Sequence, residues 1–129
     1  MPVIQSQVDP CSAPFARNRA AMLVGIENVR QLEQNLLDKA AEAKGRFEKR
    51  GQLLPRERLN LLLDPGAPFL ELASLAGYKL HDDKDGSSAG GGLIAGIGYV
   101  SGVRVLVVAN NSAIKGGTIS PSGLKKSLR

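Results

Sequence analysis

Two β-forming runs joined by a very short link constrain this chain most. Leu93-Ile94-Ala95-Gly96-Ile97-Gly98-Tyr99-Val100 and Val103-Arg104-Val105-Leu106-Val107-Val108-Ala109 are separated by Ser101-Gly102, the two-residue spacing of a tight hairpin. From Val105 to Ala109 the second run is apolar on both alternating faces, as expected of a strand covered on both sides of a sheet. A second layer must cover it, and a chain of 129 residues leaves little from which to build one. The hairpin is therefore expected to belong to a larger layered body, of which this chain is a truncated part.

The sequence before the hairpin sorts into an arm, a long helix and a short one. Residues 1–14 carry Pro2, Pro10 and Pro14 among Gln, Ser and Asp, and read as a flexible N-terminal arm. From Phe15 to about Lys44 no proline intervenes, and Met22, Ile26, Val29, Leu32, Leu36, Ala40 and Ala43 recur at spacings of three and four. Arg30, Gln34, Asp38 and Glu42 take the opposite face, and Glu27 and Glu33 are read as solvated with them. Such a helix would extend about 45 Å, which suits an element lying across a larger body. Pro55 fits the first turn of a short helix, with Leu59, Leu62 and Leu63 as its buried face and Asp64-Pro65-Gly66 as its stop. Phe69–Leu72 reads as a short strand and Asp82–Gly92 as a mobile Gly/Ser loop, and a further helix is expected from Leu124 onward.

Several function classes fall away. Gly90-Gly91-Gly92, Gly96 and Gly98 lie before and inside the strand, whereas a dinucleotide fingerprint needs its glycines between strand and helix. Close backbone packing or bulges explain Gly96 and Gly98 better. No Walker lysine motif is present. His81 stands beside Asp82, Asp83 and Asp85, but without a second His or a Cys pair a metal or catalytic role is not favoured. Cys11 reads as an exposed, inert thiol, and a single cysteine fits a reducing compartment. No apolar run approaches the ~20 residues of a membrane span, so a cytoplasmic protein without membrane contact is expected. Lys44, Arg46, Lys49, Arg50, Arg56 and Arg58, against Glu48 and Glu57, form a basic segment that could attract phosphates or simply be a solvated face. Nucleic acid is not favoured, because no aromatic residues interleave with these charges.

Lys115-Gly116-Gly117-Thr118 is the best local candidate for a site. It follows the second strand and precedes a helix, the position where open α/β sheets bind ligands. Its glycines allow close approach, and Lys115 adds a positive charge. A ligand-lining turn and a plain strand-to-helix turn fit these residues equally.

The string Glu57-Arg58-Leu59-Asn60-Leu61-Leu62-Leu63-Asp64-Pro65-Gly66-Ala67-Pro68-Phe69-Leu70-Glu71-Leu72, with Asn110-Asn111-Ser112-Ala113-Ile114-Lys115-Gly116-Gly117, resembles the opening of the carboxyltransferase (β) subunits of biotin-dependent acyl-CoA carboxylases. The likeness runs from about Ala43 to Arg129 and is closest to the subunits acting on 3-methylcrotonyl-CoA or geranyl-CoA. Asn111 and Ala113 depart from the usual Asp and Thr, and geranyl-CoA is slightly favoured. The resemblance implies an α/β, crotonase-like (ClpP/crotonase) carboxyltransferase N-domain, of which residues 15–129 form the N-terminal part. It implies transfer of carboxyl from carboxybiotin to the γ-carbon of a β-methyl-α,β-unsaturated acyl-CoA. The family's glycine-rich oxyanion loops fall after Arg129, so no catalytic residue is expected here. Lys115, Gly116 and Gly117 are expected to line the acyl-CoA or biotin side of the pocket. The chain lacks the Met-Lys-Met biotinylation motif and an ATP-grasp signature, which implies a partner α subunit carrying biotin carboxylase and biotin carrier, beside a homo-oligomer of β subunits. The competing reading is a non-catalytic assembly or phosphate-binding module built on the long helix and basic segment.

Overall fold

The computed structural model describes residues 5–80 and 83–129, so His81 and Asp82 lie outside the described residues. The chain divides into two compact units, one ending at Leu32 and one comprising Glu33–Arg129. In the first unit, helix α1 (Ala13–Ala41) starts two residues before the expected Phe15. The Cys11 N–H donates to the Asp9 carboxylate (2.9 Å) and the Phe15 N–H to the Ser12 hydroxyl (3.3 Å). Side-chain oxygens thus serve amides that the first helical turn cannot pair. The apolar stripe of this unit is exposed, with Met22 at 65%, Ile26 at 38% and Val29 at 46%.

In the second unit the same stripe is buried. Leu36, Ala40 and Ala43 face inward, and Ala40 and Ala43 cluster with Phe47, Ala113 and Ile114, with Leu54 packed alongside. The helix ends at Ala41 instead of near Lys44, and after a turn the chain forms α2 (Lys44–Glu48), which supplies Phe47 to the core. Glu33 is not solvated as expected: its carboxylate accepts from the Ser74 hydroxyl (2.6 Å).

Helix α3 (Pro55–Leu62) has Pro55 at its first position, and the Leu54 N–H donates to the Glu57 carboxylate (2.8 Å). Its expected apolar face is only partly correct. Leu59 is buried, Leu62 is exposed at 49%, and Leu63 lies beyond the helix end and is half-buried.

The sheet comprises β1 (Leu70–Glu71), β2 (Leu93–Val100) and β3 (Val103–Asn110), all antiparallel, in the order β1-β2-β3. β2 and β3 pair without a bulge from Val100↔Val103 to Leu93↔Asn110. Ser101 (φ 52°) and Gly102 (φ 75°) both take left-handed conformations, which matches the twist of a two-residue hairpin turn. Asp64 clamps this turn: one carboxylate oxygen accepts from Ser101 N (2.6 Å) and the other from Gly102 N (2.7 Å), while Asp64 N donates to Tyr99 O (2.9 Å).

Pairing places Ile94, Gly96 and Gly98 opposite Ala109, Val107 and Val105 on one face. A Cβ at Gly96 would strike the Phe69 ring, and one at Gly98 would lie 2.6 Å from a Leu63 methyl. Close packing, not a bulge, therefore accounts for both glycines. The other face carries Leu106 (66% exposed) and Val108 (58%). The expectation that Val105–Ala109 is buried on both faces is not met within this chain: Val105, Val107 and Ala109 are half-covered, and the alternate positions are open. The cover comes from α3 and the segment leading to β1, and both contribute to the same side.

Composition also misled for the loop after residue 82. Asp83 is buried and accepts from Lys79 N (3.1 Å), Ser88 N (2.8 Å) and Ser88 Oγ (2.7 Å), which folds the loop back on itself. Gly90, Gly91 and Gly92 are buried with φ of 91°, 68° and 73°. A Cβ at Gly91 would fall 2.7 Å from the Gly123 nitrogen, so the triple glycine is the bed on which the last helix rests. That helix, α4 (Pro121–Ser127), starts three residues before the expected Leu124. Ser120 caps it by accepting from Gly123 N (3.1 Å), and Pro121 occupies the first turn.

Candidate functional site

Lys115–Gly117 forms a single 3₁₀ turn after β3. Lys115, Gly116 and Gly117 have φ of 43°, 65° and 81°, three successive left-handed residues. Glycine tolerates this backbone at no steric cost; a Cβ at Gly117 would in addition press on Ser112 at 3.3 Å, while Gly116 faces open space. The Lys115 carbonyl accepts from Thr118 N (3.3 Å) and Thr118 Oγ1 (2.9 Å), which ties the turn to the segment leading into α4.

Lys115, Ser88 and Ile114 are shared by two adjoining clefts. The larger, ≈ 300 Å³, brings Lys39, Glu42, Arg46, Ser87 and Ser88 to Lys115. The smaller, ≈ 30 Å³, continues toward Thr118, Ser120 and Ser122. Lys39 donates to the Glu42 carboxylate at 2.8 Å, and that hydrogen bond and charge hold its ammonium pKa above the ordinary lysine value. The Ser87 hydroxyl and amide, followed by the charge of Lys115, lower the Asp85 pKa. Arg46 donates to Ala113 O (3.4 Å).

A separate cleft of ≈ 310 Å³ lies between the buried half of α1, β1 and the glycine bed. Arg56 and Glu71 form a two-pronged ion pair there (2.8 and 3.0 Å). Arg56 Nε and Asn111 Oδ1 are buried without a hydrogen-bond partner among the described residues. Lys126 donates to Leu93 O (2.7 Å) and Gly90 O (3.3 Å), and partial burial lowers its pKa.

The expected basic patch is thus divided. Arg56 turns inward to Glu71, Lys44 approaches Glu57 (3.7 Å), and Arg46 joins the Lys115 cleft. The structure sets the sequence-predicted Lys115 beside Lys39, Ser87 and Ser88, which sequence reading did not single out, and brings Arg46 from the general basic face into the same cleft. Positions so far apart in the chain carry no shared spacing signal. Among the described residues, no group of three or more His, Cys, Asp or Glu could hold a metal ion, and no helix is long and apolar enough to cross a membrane. Cys11 is free and exposed.

The carboxyl transferase domain family matches residues 46–129. The methylcrotonoyl-CoA carboxylase beta chain (a probable assignment) of Drosophila melanogaster is 42% identical over 98% of this chain, and the matched region is 22% of that protein. The biotin-dependent 3-methylcrotonyl-coenzyme A carboxylase beta1 subunit of Mycobacterium tuberculosis is 53% identical over 67% of this chain and 16% of its own length. The crystal structure of the P. aeruginosa geranyl-CoA carboxylase beta subunit superposes with a TM-score of 0.85, at 70% identity, over 98% of this chain and 23% of that one. The chain thus spans less than a quarter of the length of each of these relatives.

Proposed function

Since the chain belongs to the carboxyl transferase domain family, with the fold of the N-terminal part of a crotonase-like carboxyltransferase N-domain, we propose that its protein is the carboxyltransferase (β) subunit of a biotin-dependent acyl-CoA carboxylase. The acceptor is a β-methyl-α,β-unsaturated acyl-CoA, with geranyl-CoA favoured over 3-methylcrotonyl-CoA. The observation that carries this choice is the 70% identity with the geranyl-CoA carboxylase subunit, against 42% and 53% for the methylcrotonyl relatives. In the proposed reaction carboxybiotin, when bound, would supply the carboxyl group: the γ-carbon of the acyl-CoA would gain the bond to carboxyl carbon that the biotin ureido nitrogen loses, and the γ-proton given up in forming the dienolate would end on that nitrogen. Backbone N–H groups elsewhere in the subunit stabilise the enolate oxygen. Biotin arrives on a partner α subunit, β subunits assemble with one another, and the complex is cytoplasmic. Lys115, Gly116 and Gly117 line the acyl-CoA or biotin side of the pocket: the strained turn is held in place by Thr118, and glycine at two positions leaves the ligand access to the backbone.

Incorporation of labelled bicarbonate by the complete carboxylase, assayed with geranyl-CoA and 3-methylcrotonyl-CoA in parallel, tests the proposal. Higher kcat/KM on geranyl-CoA supports it; higher kcat/KM on the shorter thioester overturns the substrate choice, and carboxylation of neither overturns the reaction. Lys115→Ala should slow carboxyl transfer while leaving assembly intact, and unchanged turnover and KM would remove Lys115 from the pocket.

A further inference from the structure

Two adjoining clefts of ≈ 380 and ≈ 720 Å³ form a groove between α2, α3 and the end of β3, and Pro55, Arg58 and Ser112 line both. Phe47 and Leu53 extend the first, Leu62 and Val108 the second. Leu53, Leu62 and Val108 are exposed at 47%, 49% and 58%. Among the described residues, Arg58 is the one charged side chain in either lining, and it takes part in no ion pair. Lys49 and Arg50 stand on the exposed turn after α2. The Arg50 and Gln52 amides both donate to the Phe47 carbonyl (2.9 and 3.0 Å), which fixes that turn to the groove wall. The acids nearby are already engaged: Glu48 and Glu57 flank Lys44 (4.0 and 3.7 Å), and Glu71 holds Arg56 (2.8 Å). Over residues 44–58 with Glu71, six cations face three carboxylates, which leaves a charge of +3.

Surface that one subunit closes over permanently leaves out uncompensated charge, because burying an unpaired guanidinium is costly. An apolar floor with a central arginine and a cationic rim is instead the anatomy of a contact between separately folded chains. A phosphate-bearing ligand would use the cations but not the apolar floor. We propose that this groove docks a segment of the partner α subunit that presents apolar side chains and a carboxylate. The carboxylate pairs with the planar Arg58 fork. Its apolar neighbours cover Leu53, Leu62 and Val108, and Lys49 and Arg50 steer further acids to the rim. The inference rests on the carboxylase reading, which supplies the α subunit, and adds the surface on which that subunit seats and the charge the surface selects.

The test uses complete β subunits and separately purified α subunit, with association followed by biolayer interferometry. Arg58→Glu should raise the dissociation constant of the α–β contact roughly thirtyfold, mainly through faster dissociation. Lys49→Glu/Arg50→Glu, on an exposed turn that tolerates substitution, should slow association on the order of fivefold at low salt, and the difference should fade as salt screens the rim. Association among β subunits and their thermal unfolding should not change in either variant. Lys84→Glu, which reverses an exposed cation outside the groove, should alter neither rate. Unchanged α binding in the groove variants, or an equal loss in Lys84→Glu, overturns the docking surface and leaves the carboxylase reading standing. So does a variant β subunit that no longer folds or self-associates, since the groove is then covered within β. Failure of the wild-type β subunit to bind α at all overturns the carboxylase reading and this inference with it.

Discussion

Removing the Asp64 carboxylate tests how a loop residue holds a hairpin that lies more than thirty positions away. Asp64 receives two short bonds from the turn amides, at 2.6 and 2.7 Å, one on each oxygen. A hydrogen bond to a charged group contributes roughly 1.5–3 kcal/mol. This turn is exposed, so solvent screening brings the pair down to about 2 kcal/mol together. Asp64→Ala should therefore loosen the hairpin tip by about 2 kcal/mol, and Asp64→Asn, which keeps one acceptor and loses the charge, by about half that. The readout is hydrogen exchange of the peptide covering β2 and β3 in the complete subunit. Amides next to the turn should exchange about 30-fold faster in Asp64→Ala, by the factor of ten per ~1.4 kcal/mol, while the far end near Leu93 and Asn110 keeps its protection. Unchanged exchange at the tip would show that the positive-φ turn holds itself and that the Asp64 bonds contribute nothing measurable.

Gly96→Ala should cost about 2–3 kcal/mol, since its methyl meets the Phe69 ring and the Leu70 carbonyl together; Gly98→Ala, which meets a movable Leu63 methyl, should cost less, and thermal unfolding of the subunit ranks them. Arg56→Met should destabilise by about 2–3 kcal/mol because Glu71, with 20% of its side chain exposed, is left unpaired. Arg56→Met/Glu71→Leu should recover most of that loss, as judged by urea denaturation. Partial burial lowers the pKa of Lys126, so between that lowered pKa and the ordinary lysine value the unfolded chain binds more protons than the folded one. Stability should then rise with pH across that window, and Lys126→Met should flatten the rise in denaturation curves taken at a series of pH values.

Local chemistry made much of this fold readable. The Ser101-Gly102 link and the β-forming runs on either side of it marked the hairpin, because turn type and strand propensity act over a few residues. The Lys115-Gly116-Gly117 turn was readable for the same reason. Ser120-Pro121 was an equally plain helix start that the reading passed over. Contacts that close over long sequence distances were hidden: the Asp64 clamp, the Glu33–Ser74 bond, and the meeting of Lys39 and Arg46 with Lys115. Composition read the loop after residue 82 as mobile and carried no sign that a buried Asp83 gathers its amides.

The two-residue link also restricts how this protein can change. Leu106 and Val108 look one way and Val105 and Val107 the other only because Val100 pairs with Val103. An odd-numbered insertion at the tip that shifted the pairing by one step would turn the ribbon inside out. The small side of β2, where Phe69 nests against Gly96, would then meet bulky neighbours. Length variants of this loop should consequently be scarce among functional descendants, while substitutions that respect its left-handed backbone pass freely.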